Sequence, residues 1–137
     1  MARDGVNNIV LAGYSVGHVA NDLYASMWFI YMSYYLLNVV NLDPNVSGLC
    51  LLSGQIADGI TTPLVGYFSD KIEFRMGKRN MWYYMGSLLV APSYLCIWYG
   101  FSFFNSKEGE NAWYLIWPAI FNVGWAAVQI SHLAIVN

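Results

Sequence analysis

Charge is what this chain has least of. Only 10% of its 137 residues are Asp, Glu, Lys or Arg, against 58% hydrophobic and 18% aromatic. Soluble domains carry about a quarter charged residues. A chain this poor in charge cannot cover a water-facing surface on all sides, so the composition excludes an ordinary soluble domain and points to a membrane protein. Six basic residues against eight acidic ones leave a net charge of −2 and no basic footprint for nucleic acid. Cysteine and histidine are scarce as well, with two of each. Cys50 and Cys96 lie in apolar runs without the spacing of a metal or redox pair. They read as small packing residues, and no metal or cofactor is expected. The N-terminal stretch MARDGVNNIVLAGYS lacks the compact apolar core and cleavage site of a removable signal peptide. The first helix is expected to act as its own insertion signal.

What the chain does have is long apolar runs. A membrane crossing needs about 20 mainly apolar residues, and four segments qualify, at about 8–39, 46–69, 81–104 and 112–136. The expected fold is therefore an all-α membrane protein of four transmembrane helices. The turn NLDPN follows the first, with Pro44 ending any helix that arrives from before it. The 70–80 connection, DKIEFRMGKRN, holds Lys71, Arg75, Lys78 and Arg79, whereas NLDPN and NSKEGEN together hold one lysine and three acids. The positive-inside rule places the 70–80 loop and the N-terminus in the cytoplasm, and the other two loops outside or in a lumen. Asn45-Val46-Ser47 is a formal glycosylation sequon on that far side, but it is too close to the membrane surface for modification to be expected.

Polar residues interrupt these runs at helical spacing. Asp22 and Asp58 fall near the middle of the first and second segments. A charge at that depth costs about 2.5–3.5 kcal/mol on insertion scales, so each is expected to face protein or water. His18, Asp22 and Ser26 follow at i, i+4 and i+8, with Asn21 beside them. Gln55, Asp58 and Thr62 share a face of the second segment, and Asn122, Trp125, Gln129 and His132 a face of the fourth. The third segment carries no such stripe and reads as lipid-facing or supportive. Three polar stripes out of four suit a bundle around a polar cavity. Each stripe also has a plainer reading, because polar side chains join membrane helices by hydrogen bonds; a carboxylate is expensive glue. His18 either pairs with Asp22 one turn away or takes and releases protons near neutral pH. His132, toward the cytoplasmic end, reads as an interfacial histidine. Tyr34, Tyr35, Trp82 and Trp113 read as interfacial anchors. Trp125 either packs or stacks on a substrate.

The run GQIADGITTPLVGYFSDKIEFRMGKR (54–79) resembles the second helix and following loop of major facilitator superfamily transporters. More narrowly it is similar to the glycoside–pentoside–hexuronide:cation symporter branch. That branch has a glycine-rich start and a polar-Asp pair in its first helix, matched by Gly13, Tyr14, Gly17, Asn21 and Asp22. Its D-x-x-x-x-P-x-x-G-x-x-x-D pattern is matched by Asp58, Pro63, Gly66 and Asp70, and its basic loop ending by Gly77, Lys78 and Arg79. With GWAAVQISHL (124–133) in the fourth helix, the chain looks most like the major facilitator domain-containing protein 12 group, over about residues 8–135.

The resemblance implies secondary-active transport by alternating access in a fold of two six-helix halves with the substrate between them. The implied solute is small and polar: cysteine or a related amino acid, or a sugar. The implied location is a lysosomal or related organelle membrane, with the plasma membrane as the alternative. His18, Asn21, Asp22, Gln55, Asp58, Thr62, Trp125 and Gln129 are the expected substrate or cation path. Gly66, Asp70, Lys71, Gly77, Lys78 and Arg79 form the expected cytoplasmic gating motif, although Asp70 as a helix-end capping residue would look the same.

Two departures qualify the likeness. Sodium-coupled sugar members carry a carboxylate directly before the second-helix proline, where this chain has Thr62, and another in the fourth helix, where Gln129 aligns. Asp58 alone offers a sodium ion few oxygen ligands, so proton linkage or no coupling is expected. The other departure is length. Four helices are expected to be the N-terminal portion of a twelve-helix carrier, unable to transport without the missing C-terminal helices or a full-length copy. The alternative is a short four-helix scaffold or regulatory product that pairs with a full-length transporter. An enzyme is not expected. DGITTPLVGYFSD partly resembles the core of CDP-alcohol phosphotransferases, but it lacks Ala-Arg after D-G, its spacing to Gly66 is too short, and Phe74 stands where another Asp is needed.

Overall fold

The computed structural model describes residues 8–72, 77, 79–99 and 106–135. The first expected segment is a continuous rod in three parts: α1 (Asn8–Ser26), a π-helical turn (Met27–Tyr31) and α2 (Met32–Asn38). In the π turn the Met32 N–H donates to the Met27 carbonyl, five residues back. Such turns shift every following side chain around the helix axis and recur at functional sites. Here the shift buries Trp28, Met32 and Leu36 together in the core.

The NLDPN turn works differently from the expectation. Asn41 takes φ 59°, the left-handed region that Asn tolerates better than most residues. Asp43 then caps the next helix, accepting the Asn45 N–H at 2.8 Å. Pro44 occupies the first helical position, where its missing N–H leaves nothing unpaired. Pro44 thus starts α3 (Pro44–Lys71). Asp43→Ala should lower stability by about 1 kcal/mol through loss of this cap, read as a lower thermal midpoint. An unchanged midpoint would show that the cap contributes nothing.

α3 is longer at both ends than the expected 46–69, so Asp70 and Lys71 are helical. The third segment is α4 (Asn80–Trp98), and residues 100–104 of the expected 81–104 span lie outside the described residues. α5 (Lys107–Ile135) begins five residues before the expected 112. Ser106 Oγ accepts the Gly109 N–H at 3.2 Å, and Glu108 and Glu110 sit at the positive end of the helix dipole.

α5 packs against both α3 and α4. Two side-chain bonds tie it in: Ser53 Oγ donates to the Leu115 carbonyl at 2.9 Å, and Trp113 Nε1 donates to the Cys96 carbonyl at 3.0 Å. The α4–α5 crossing is close because glycine faces glycine. A Cβ on Gly86 would lie 2.7 Å from the Gly124 carbonyl oxygen, and one on Gly124 would lie 3.0 Å from the Gly86 oxygen. Small residues let membrane helices approach in this way.

The expectation of four transmembrane helices is not met by any helix taken singly. Among the described residues, no helix is long and apolar enough to cross a membrane. Tyrosine, tryptophan, glycine, serine and the amide and carboxylate side chains inside the runs dilute their apolarity. The surface is still rich in large apolar groups, among them Val16, Leu23, Phe29, Ile30, Leu88, Leu95 and Ile116. Exposed apolar surface of this extent marks contact with lipid or with further protein.

Candidate solute site

α1, α4 and α5 line a partly open cavity of about 230 Å³. α1 supplies Gly17, Ala20, Asn21 and Tyr24, α4 supplies Tyr83, Ser87, Val90 and Ala91, and α5 supplies Trp125 and Val128. The spacing explains the wall. Gly17, Asn21 and Tyr24 recur at i, i+4 and i+7, and Tyr83, Ser87 and Ala91 at i, i+4 and i+8, so each set faces one way. Small side chains leave the space, and aromatic rings bound it.

The polar centre of the cavity is one hydrogen bond. Trp125 Nε1 donates to Asn21 Oδ1 at 2.7 Å, joining α5 to α1. This bond spends the Asn21 carbonyl on the indole and leaves its amide group as a donor for a solute. Phe121 stacks near-parallel to the Trp125 ring, 6.1 Å between centroids, and fixes its orientation. The lining carries no charged side chain, so the cavity suits the uncharged part of a solute.

Of the expected path residues, the structure brings only Asn21 and Trp125 together in this wall. His18, Asp22 and Ser26 occupy exposed positions of α1 outside the cavity wall, with the His18 ring turned toward His132. Asp22 pairs loosely with His18, at 3.9 Å between Nε2 and Oδ2. Gln55 and Thr62 are exposed and Asp58 half-buried on α3; Gln129 is half-buried on α5. Asp58 accepts a hydrogen bond from Thr62 at 3.2 Å, and among the described residues no hydrogen bond or ion pair joins it to Asp22. Each carboxylate is served by its own helix.

Two further expectations change. The third segment is not merely supportive, because α4 furnishes four residues of the cavity wall. Polar side chains were the wrong signal there; the i, i+4 run of Tyr83, Ser87 and Ala91 was the useful one. His132 is buried rather than exposed. It is 5% exposed, stacked on Tyr14 at 4.2 Å with only 8° between planes. His18 lies 5.8 Å from it, near-parallel, and Tyr83 6.0 Å. Two protonated imidazoles at 5.8 Å would repel by about 3 kcal/mol at an effective dielectric of about 20.

At the other end of α3, the expected gating residues form local pairs. Arg79 reaches Asp70 Oδ1 at 3.5 Å, which offsets a carboxylate at the negative end of a helix dipole. Lys71 Nζ donates to the Tyr67 hydroxyl and lies 4.1 Å above that ring. Gly77 has φ 97°, a conformation that favours glycine. A Cβ on Gly66 would meet open space. Lys78 lies outside the described residues.

The family model described as MFS/sugar transport protein matches residues 13–137. The chain belongs to the major facilitator superfamily. Members of this superfamily are integral membrane transporters, which accounts for the apolar surface of these helices. Over 129 residues the major facilitator chain is 40% identical to human Major facilitator superfamily domain-containing protein 12, covering 90% of this chain and 27% of the relative. It is 31% identical over 123 residues to Sodium-dependent lysophosphatidylcholine symporter 1 of Gallus gallus, covering 89% of this chain and 23% of the relative. Identity to the Sphingosine-1-phosphate transporter of Xenopus tropicalis is 28% over 120 residues, covering 87% and 23%. The chain thus spans about a quarter of the length of the curated relatives it matches. No solved structure matches it.

Proposed function

We propose that this chain forms the solute-holding part of a secondary-active carrier for a small polar solute, cysteine or a related amino acid, or a sugar. The carrier works by alternating access, and its transport is proton-linked or uncoupled. The observation that carries this reading is the α1–α4–α5 cavity with its Asn21–Trp125 bond. Its lining of small and aromatic side chains around one amide favours a small polar solute. Two relatives have names that point to lipids and one name specifies sodium dependence; Thr62 and Gln129 in place of carboxylates favour a different coupling here.

In this proposal the four helices cross the membrane as a group, each covering the polar positions of its neighbours. The N-terminus and the 70–80 loop lie on the cytoplasmic side, and the membrane is that of a lysosome or related organelle. The outward polar faces, His18 with Asp22 and Gln55 with Asp58 and Thr62, line the route by which solute and protons reach the cavity. Asp70 with Arg79, flanked by Lys71 and Gly77, is the cytoplasmic gate.

Uptake of radiolabelled L-cysteine into vesicles carrying the full-length protein tests this reading. Asn21→Leu removes the acceptor of the Trp125 N–H and the free amide together. Leaving a buried donor unpaired costs about 1–3 kcal/mol, so uptake should fall roughly tenfold or more at equal protein in the membrane. Unchanged uptake would overturn the cavity assignment. A carrier that ignores cysteine but moves a sugar would keep the site and change the solute. Asp22→Asn and Asp58→Asn should each abolish uptake while leaving insertion intact. Full transport by both would remove them from the path.

A further inference from the structure

His132 is buried, yet its Nε2 has no hydrogen-bond partner. Buried polar atoms are nearly always satisfied, so an imidazole nitrogen left open at this depth asks for a ligand. The groups that face His132 come from two helices. α1 presents Tyr14, stacked on the ring, then His18, and behind His18 the Asp22 carboxylate. α4 presents Tyr83. Gly17 completes the enclosure: a Cβ there would lie 3.0 Å from His132 Cε1 and 3.2 Å from the Tyr83 hydroxyl.

We propose that His132 binds the proton that drives this carrier, loaded through the His18–Asp22 pair and felt in the solute cavity through Gly17 and Tyr83. The inference rests on the transport reading above and deepens it by naming the coupling residue. Three features support it. The charged imidazole has a place to sit, because the Tyr14 ring face attracts a cation stacked on it. A route by which a proton can enter is offered by the polar face of α1, where the His18 and Asp22 side chains are 51% and 65% exposed in this chain. The cavity is within reach, since Gly17 and Tyr83 belong both to its wall and to the His132 enclosure.

The proton balance is simple. A proton from water is taken up by neutral His18, whose imidazolium faces Asp22. It passes to the open nitrogen of neutral His132, leaving His18 neutral again. The rings are not hydrogen-bonded to each other, so transfer uses one bridging water or rotation of the exposed His18 ring. Repulsion between the two imidazoles keeps the pair at one proton at a time. When the opposite face of the carrier opens, the proton returns to water and His132 is neutral for the next cycle.

The test uses full-length protein in vesicles with labelled L-cysteine and two assays: uptake under an imposed pH gradient, and exchange of labelled for unlabelled cysteine at equal pH. The wild type is expected to exchange and to take up several-fold more under the gradient. His132→Gln should lose the gradient response and keep exchange. A gradient response of wild-type size in His132→Gln would overturn the proposal, as would a wild type that exchanges but ignores the gradient. Absent exchange of both labelled cysteine and a labelled sugar in the wild type overturns the transport reading itself, which separates the two failures. If His132→Gln does not fold, His18→Gln at an exposed position decides. A slowed gradient response supports loading through His18, and an unaltered one overturns it.

Discussion

Replacing Gly86 by leucine should leave little folded protein. A Cβ at that position would meet the Gly124 carbonyl oxygen at 2.7 Å and the Val128 backbone nitrogen at 2.9 Å. Neither atom belongs to a side chain that can turn aside, so α4 and α5 must separate along their whole crossing. Separation strips packing from Val90, Phe121 and Trp125, which are core residues. Overpacking costs about 1–3 kcal/mol where flexible side chains yield; with backbone against backbone and a four-carbon side chain, the loss should exceed that. The expected readout is aggregation or failure to elute as a single species in detergent. Gly48→Ala is the control, because a Cβ there meets nothing within 4 Å. Alanine at an exposed helical position should hold or slightly raise stability, by up to about 1 kcal/mol. Equal behaviour of the two variants would mean that the α4–α5 crossing is not as close as described.

The second large effect concerns transport and leaves the fold alone. Ser87→Phe projects a ring into the cavity between α1, α4 and α5, where about 230 Å³ stands empty. The ring has room, so the helices keep their packing, but a solute no longer fits beside Asn21 and Trp125. Uptake should drop at least about tenfold, equivalent to about 1.4 kcal/mol of lost binding, with the thermal midpoint nearly unchanged. Leu88→Phe adds similar bulk one residue away on an exposed face, and should leave uptake intact. Loss of uptake in both variants would point to general disturbance of α4 rather than to the cavity.

How much of this could be read from the chain differs from part to part. Helical segments were legible because apolar runs of that length have few other ways to satisfy their backbones. Their ends were less so. Asp43 and Ser106 act as caps through side-chain hydrogen bonds, and the start of α5 lies inside the charged NSKEGEN stretch, which reads as loop by composition. The π turn at Met27–Tyr31 left no signal in residue type. Asn21 and Trp125 were found as polar interruptions, but their partnership joins residues 104 apart in sequence and needs the α1–α5 approach to be known. A carboxylate such as Asp22 is costlier to bury than the amide of Asn21. The structure resolves that cost by turning the carboxylate outward and the amide inward. α4 is misread for a related reason: its contribution is absence of bulk at Ser87 and Ala91, and small residues do not announce a cavity until another helix faces them. His132 was placed by its position near a helix end, whereas its burial is set by Tyr14, Gly17 and Tyr83 on other helices.

In the proposed carrier the solute rests in the α1–α4–α5 cavity against Asn21 and Trp125. Equilibrium binding of labelled L-cysteine to the purified full-length protein, wild type beside Ser87→Phe, tests it without the complications of transport. The wild type should bind saturably and Ser87→Phe not at all, at the same thermal midpoint. Saturable binding of equal affinity by both proteins would contradict it, because a solute that ignores a ring in this cavity is held somewhere else.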